Sequence, residues 1–193
     1  MESSDPATNP RKYLSSPMDL LNMLNDPTTS DFDIVVNERV FKVHRVILQA
    51  RSKYFAALFS SKNRETETGR MEIKEMDEDQ VSVVLRFIYG AKLPDPSVVT
   101  LELYQIADMY RLIDLKYYCI NVLASSLDST NIICFLQHAE HFQDDRLMDV
   151  GVCYVTKNLD RLLRTEIADQ LLDWKQLVKR ILHYQNERLS AEA

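Results

Sequence analysis

The hydrophobic period of this chain changes abruptly near residue 44. From Asp31 the sequence reads DFDIVVNERVFKV, in which Phe32, Ile34 and Val36 alternate with Asp31, Asp33 and Val35. That two-residue period is the mark of a strand. Asn37-Glu38-Arg39 supplies a turn, and Val40 to Val43 returns as a second strand. The next residues, HRVILQARSKYFAALF, switch to helical spacing. Arg45 to Gln49 forms one short helix and Lys53 to Ser60 a second. Ser52 is placed to cap the second, and Tyr54, Phe55, Leu58 and Phe59 share one face. An isolated hairpin is marginal in water, so these strands must lie against the helices that follow them.

The segment SSKNRETETG, residues 60–69, contains no apolar side chain and is predicted to be an exposed loop. Arg70 to Lys74 turns Met71 and Ile73 inward as a third strand. Asp77 with Gln80 forms a capping-box pattern, and Val81, Val84, Leu85 and Ile88 then recur at i, i+3, i+4 and i+7. Helical spacing continues to the C-terminus. It passes through Val99, Leu103, Ile106 and Tyr110, then Leu115, Tyr118, Cys119 and Val122. Ile132, Ile133, Leu136 and Ala139 follow, then Leu147, Val150, Gly151 and Tyr154. Asp128 or Ser129, and later Asp144, stand as caps. Few strands followed by successive short-looped helices imply an α+β fold, a small sheet capped by a helical cluster. At the other end, Ser16-Pro17 can start a two-turn helix carrying Met18, Leu21 and Leu24 on one face, stopped at Asn25-Asp26-Pro27. Such a helix is too short to stand alone. It must dock on its own core or on a second copy of the chain. Residues 1–15 read as a disordered tail.

Charge and residue usage remove several classes of function. The net charge is -6, and the basic residues are interleaved with acids, which excludes the clustered Lys/Arg surface that nucleic acid requires. No apolar run approaches the roughly 20 residues of a membrane span, so no membrane partner is expected. Cys119, Cys134 and Cys153 are odd in number and sit in apolar-periodic segments, as small buried thiols do in a reducing compartment. The polar opening MESSDPATNP lacks the pattern of a signal peptide, and the nucleus or cytoplasm is expected. Three glycines in all leave little room for phosphate-cradling loops.

The candidates for chemistry are sparse. Cys134, His138 and His141 fall at i, i+4 and i+7 of one helix, and those residue types ligate zinc. A fourth ligand such as Cys153 would have to come from the next helix. A core thiol with histidines near the helix edge accounts for the spacing more simply. His44 has no Ser or Cys nucleophile beside it in sequence. No catalytic residue, metal or cofactor is expected, and Trp174 reads as a packing anchor.

The residues from DFDIVV to AALFSS, together with RMEIKEMDEDQVSVVLRFIYGAKLP and LELYQIADMYRLIDLKYYCINVL, resemble the BTB/POZ domain, closest to the MATH–BTB group that includes the speckle-type POZ protein. The resemblance covers residues 16–125. It continues more weakly through residues 129–158, similar to that group's 3-box, and LLDWKQL is similar to the start of a shortened BACK region. The implied layout is a tail over 1–15, a BTB/POZ domain over 16–125 and a 3-box/BACK-like extension over 126–193.

The resemblance implies a non-catalytic, homodimeric adaptor that recruits a cullin-3 ubiquitin ligase through the cullin-3 N-terminal domain and holds a protein substrate of unknown identity. It places Met18, Leu21 and Leu24 against Ile47 of the partner copy, and pairs Asp33 with Arg45 inside the chain. The implied cullin contacts are Phe59, position 63, Glu65 and Tyr89. The family has a bulky apolar anchor two positions before the Glu, whereas this chain has Asn63. An alternative follows from that departure, namely a non-ligase module that pairs with other BTB chains or recruits a transcriptional corepressor. No MATH, Kelch or zinc-finger segment is recognisable. Substrate is therefore expected on the tail, on the C-terminal helices, or on a longer protein of which this chain is a fragment.

Overall fold

The computed structural model describes the backbone of residues 17–90 and 93–191, with side chains from 20 to 186. The expected tail over residues 1–15 lies outside the described residues. The elements in chain order are α1 (Pro17–Met23), β1 (Phe32–Val36), β2 (Arg39–Val43), α2 (Arg45–Arg51), α3 (Lys53–Ser60), α4 (Arg64–Thr68), β3 (Arg70–Ile73) and α5 (Glu78–Ile88). They continue with a 3-10 turn (Pro96–Val98), α6 (Leu101–Met109), α7 (Ile113–Ser125), α8 (Ile132–His141), α9 (Asp145–Leu162), α10 (Ala168–Asp173) and α11 (Lys175–Ala191). Two compact units emerge. Among the described residues, the first comprises those up to Asp95 with Ile106–Leu115, the second Pro96–Gln105 with those from Lys116 onward.

In the first unit β1 is central in the order β2-β1-β3. It is antiparallel to β2, with Phe32 opposite Val43 and Asp33 opposite Lys42. It is parallel to β3, with Val35 opposite Glu72. A parallel neighbour needs a crossover, which α2, α3 and α4 provide. Ile34, Val35 and Val36 are all buried, so β1 is covered on both faces. Around it pack Phe41, Val43, Leu48, Phe55, Ile73, Leu85 and Ile88, none more than 4% exposed. Each such side chain contributes roughly 1.5–3 kcal/mol by leaving water. The capping box expected at the start of α5 is present. Asp77 accepts from Gln80 N–H at 2.8 Å, and Gln80 accepts from Asp77 N–H at 3.0 Å.

Residues 60–69 depart from expectation. Instead of a loop throughout, they contain α4, because Asn63 and Thr66 cap each other and Gly69 closes the helix at φ 67°. Five residues without an apolar stripe give no helical signal to a pattern search, yet caps and a left-handed glycine suffice to set one turn.

The second unit is helical. Asp144 caps α9 by accepting from Leu147 N–H at 3.1 Å and accepts from the Tyr104 hydroxyl at 2.8 Å. Burial opposes the charged form of Asp144, but these bonds and nearby Lys116 outweigh it and hold the carboxyl below its ordinary range. Helices α8 and α9 meet at Gly151, where an added Cβ would overlap the Leu136 side chain. Leu136 is fully buried. Trp174 donates its indole N–H to Glu140 at 3.1 Å, and Arg180 pairs with Asp145 at 2.8 Å, fastening α11. The three cysteines are free thiols with different surroundings. Cys119 is buried, which pushes its thiol up to about 12. Cys153 accepts from the Tyr184 hydroxyl at 3.2 Å. Cys134 is exposed rather than a core thiol, because it sits on the outer face of α8.

An alanine in an open helix would gain up to about 1 kcal/mol over glycine. At Gly151 the overlap with Leu136 reverses the sign, and Gly151→Ala should lower the unfolding free energy by about 1 kcal/mol in urea melts.

Candidate protein-docking site

His44 joins three elements of the first unit. It precedes α2, and its backbone N–H donates to the Tyr89 hydroxyl at 2.8 Å. Its ring Nδ1 lies 2.9 Å from the same hydroxyl and its Nε2 lies 2.9 Å from Thr29 Oγ1. One assignment uses every proton. Tyr89 O–H donates to Nδ1, Nε2–H donates to Thr29, and Thr29 O–H donates to Asp26 at 3.0 Å. Hydrogen bonds from Thr28 and Thr29 hold the Asp26 carboxyl below its usual range. Asn25, at φ 67°, donates its N–H to Lys42 O at 2.9 Å and accepts from Lys42 N–H at 3.1 Å. The turn after α1 is thereby fastened to the edge of β2.

Arg45 does not pair with Asp33. Strand register sets Asp33 opposite Lys42, whose Nζ reaches it at 2.8 Å. Arg45 stands beyond the end of β2. Its backbone N–H donates to Asp31 at 2.8 Å. Its guanidinium lies 5.2 Å from the Phe32 ring and 5.5 Å from the Phe59 ring, which meet edge-on at 4.8 Å. Nη2 donates to Thr66 O at 3.2 Å, a cation at the C-terminal end of α4. Arg45 thus braces α4 against the sheet.

The residues expected to meet cullin-3 have different surroundings. Phe59 and Glu65 are half-buried near the α3–α4 corner. Asn63 is turned inward, its Oδ1 accepting from Thr66 N–H at 2.8 Å and its Nδ2 donating to Leu58 O at 2.9 Å. Tyr89 is 0% exposed. Burial pushes its phenol up to about 12, and its hydroxyl is occupied by His44. Tyr89 is a core link, not a surface contact, because the peptide N–H preceding α2 needs a buried acceptor there.

The expected dimer residues lie on or just after α1 and on α2. Leu21, Leu24 and Ile47 are half-buried, whereas the Met18 side chain lies outside the described residues. Two residues that the periodicity did not single out are more open, Val46 at 69% and Leu20 at 43%. Nearby a groove of about 340 Å³ is lined in part by Arg51, Ser52, Lys53, Phe87, Arg111 and Ile113. Three cations and the acid Asp114 share that lining with apolar groups. Among the described residues, Cys134, His138 and His141 belong to no metal-holding group of three or more ligating side chains. The His138 and His141 rings instead each lie 4.7 Å from the Phe142 ring.

Two substitutions separate these roles. Tyr89→Phe strands a buried N–H and should cost about 1–3 kcal/mol in thermal or urea melts. Asn63→Ala removes a helix cap and should cost about 1 kcal/mol, and Asn63→Asp, which keeps the cap but sets a carboxylate oxygen against Leu58 O, should recover only part of that.

Residues 20–127 match the BTB/POZ domain family. Human Kelch-like protein 7 is 25% identical over 166 residues, 86% of this chain and 28% of that protein. An Arabidopsis thaliana ARM repeat protein interacting with ABF2 is 26% identical over 162 residues, 84% of this chain and 22% of that protein. The chain therefore spans less than a third of the length of these curated relatives. Among solved structures, the BTB domain of zebrafish PATZ1 superposes with a TM-score of 0.47 at 24% identity, covering 57% of this chain and 89% of that one. The BTB domain of human Gigaxonin gives a TM-score of 0.46 at 20% identity, covering 63% and 95%. With the family matched over more than half its length, this chain belongs to the BTB/POZ domain proteins, whose domain is a protein-interaction module.

Proposed function

We propose that this chain is a dimeric, non-catalytic adaptor that recruits protein substrates to a cullin-3 RING ubiquitin ligase, in the nucleus or cytoplasm. In this reading residues 126–193 are a 3-box/BACK-like extension of the docking domain. The observation that carries the proposal is the exposure of apolar side chains on α1 and α2, Leu20 at 43% and Val46 at 69%. Val46 is 69% exposed on a helix whose neighbouring Leu48 is fully buried. Covering an apolar side chain of that size is worth roughly 1.5–3 kcal/mol, and a second copy supplies the same groups by symmetry.

The resemblance of residues 16–125 to the MATH–BTB group supports the cullin assignment, with Phe59 and Glu65 as the contacts left at the surface. Asn63 sets its strength. An apolar anchor absent from position 63 forgoes up to roughly 1.5–3 kcal/mol, which is about ten- to a hundred-fold in affinity. The inward turn of Asn63 also favours a second reading, a non-ligase module that pairs with other BTB chains or recruits a corepressor. The cation-rimmed groove beside Arg51 and Arg111 offers that second role a surface.

Binding to the purified cullin-3 N-terminal domain distinguishes the two. The native chain should bind weakly, and Asn63→Met should bind more tightly despite losing the cap. Absence of binding by both forms, with both folded by melting, contradicts the ligase role and leaves the oligomerisation module.

A further inference from the structure

The open edge of the sheet bears charges that nothing among the described residues engages. Arg70, Glu72 and Lys74 are exposed at every second position of β3 and its exit. With Arg64, Glu65 and Thr68 of α4 they line a groove of about 320 Å³. Elsewhere in the first unit three pairs of charges meet, Lys42 with Asp33, Arg39 with Glu78 and Arg111 with Asp108. Among the described residues, Arg64, Glu65, Arg70, Glu72 and Lys74 form no ion pair and no side-chain hydrogen bond.

The backbone beside them is also open, at one place. Asp33 N–H donates to Gly69 O at 2.9 Å, and Val35 stands opposite Glu72 in the parallel register. Peptide groups of Met71 and Ile73 therefore turn toward β1, and those of Arg70 and Glu72 turn away from it. The Arg70 carbonyl accepts from the Thr68 hydroxyl at 3.3 Å, and Lys74 N–H donates to Glu75 at 3.2 Å. Among the described residues, nothing bonds the N–H and C=O that Glu72 turns to the edge. Strand addition to such an edge takes its register from backbone bonds and its specificity from alternate side chains.

We propose that the β3 edge receives an extended peptide from a different protein, centred on Glu72, with acidic residues facing Arg70 and Lys74 and a basic residue facing Glu72. Charge complementarity selects that occupant. A second copy of β3 laid antiparallel about Glu72 would set Glu72 against Glu72 and Arg70 against Lys74, and like charges directly opposite are destabilising. The required pattern reads the same in both directions, so it holds for parallel and antiparallel addition. This site is separate from the α1–α2 surface and does not depend on the dimer or the cullin reading.

The probes are two short fluorescent peptides, one alternating glutamate, valine, lysine, valine, glutamate between threonines, the other with every charge reversed. The native chain should prefer the first by roughly tenfold, with the preference fading at high salt. Combined Arg70→Glu, Glu72→Lys and Lys74→Glu should invert the preference. All three side chains are exposed, so the fold should survive, as melting can verify. Glu72→Pro removes the free N–H without touching the ladder to β1 and should abolish binding of both peptides. Failure of the native chain to bind either peptide, equal binding of both, or undiminished binding by Glu72→Pro would each overturn the proposal.

Discussion

The Tyr89 hydroxyl sits against both the backbone N–H and the ring of His44, at 2.8 and 2.9 Å. From that contact the first unit takes its shape. It ties the end of α5 to the start of α2, and through Thr29 and Asp26 it holds the turn that follows α1. The His44–Tyr89 end of it is out of water, so those two groups depend on each other for their hydrogen bonds, while the Thr29–Asp26 end is open to solvent. The next residue, Arg45, extends the same junction outward. Lodged near Phe32 and Phe59 and bonded to Thr66 O, it sets α4 at the rim of the sheet. A buried polar link and one braced cation thus hold the elements that carry the exposed apolar groups of α2 and the charged edge at α4–β3.

Asn63 shows how one residue type alters what such a scaffold can hold. An apolar side chain at that position would have no hydrogen bonds to make and would be free to project. Asparagine has donors and an acceptor, and the chain uses both sides of the amide, to Thr66 N–H and to Leu58 O. The corner of α3 and α4 becomes better ordered and less adhesive to an apolar groove. What then faces solvent is charge, at Lys62, Arg64, Glu67 and Arg70. Recognition by charge is weaker per contact than an apolar anchor, but it is more selective and responds to salt.

Much of this was legible in the amino-acid order. Alternation at Phe32, Ile34 and Val36, the Asp77–Gln80 box and the caps at Ser52 and Asp144 are local signals with local causes, and the elements stand within a residue or two of expectation. The misses were of two physical kinds. The first turns on which partner wins. Asp33 meets Lys42 because strand register decides its neighbour, and a family pattern naming Arg45 carries no register for this chain. Tyr89 likewise reads as a surface aromatic until the buried N–H of His44 claims its hydroxyl. The second kind turns on capping without hydrophobicity. The turn at α4 has no apolar stripe to betray it. In a helix as short as α2, periodicity does not rank Val46 above Ile47, the residue that the resemblance names, although Val46 is the more exposed.

The claim that organises these observations is that the α1–α2 surface is where two copies meet, and the mass of the protein in solution tests it most directly. Light scattering or sedimentation at micromolar concentration should give twice the chain mass for the native protein. Val46→Asp, a change at a site 69% exposed in the single chain, should give the chain mass with the melting of the folded unit preserved. A native protein of single-chain mass, or a Val46→Asp variant that remains twice that mass, would contradict the account.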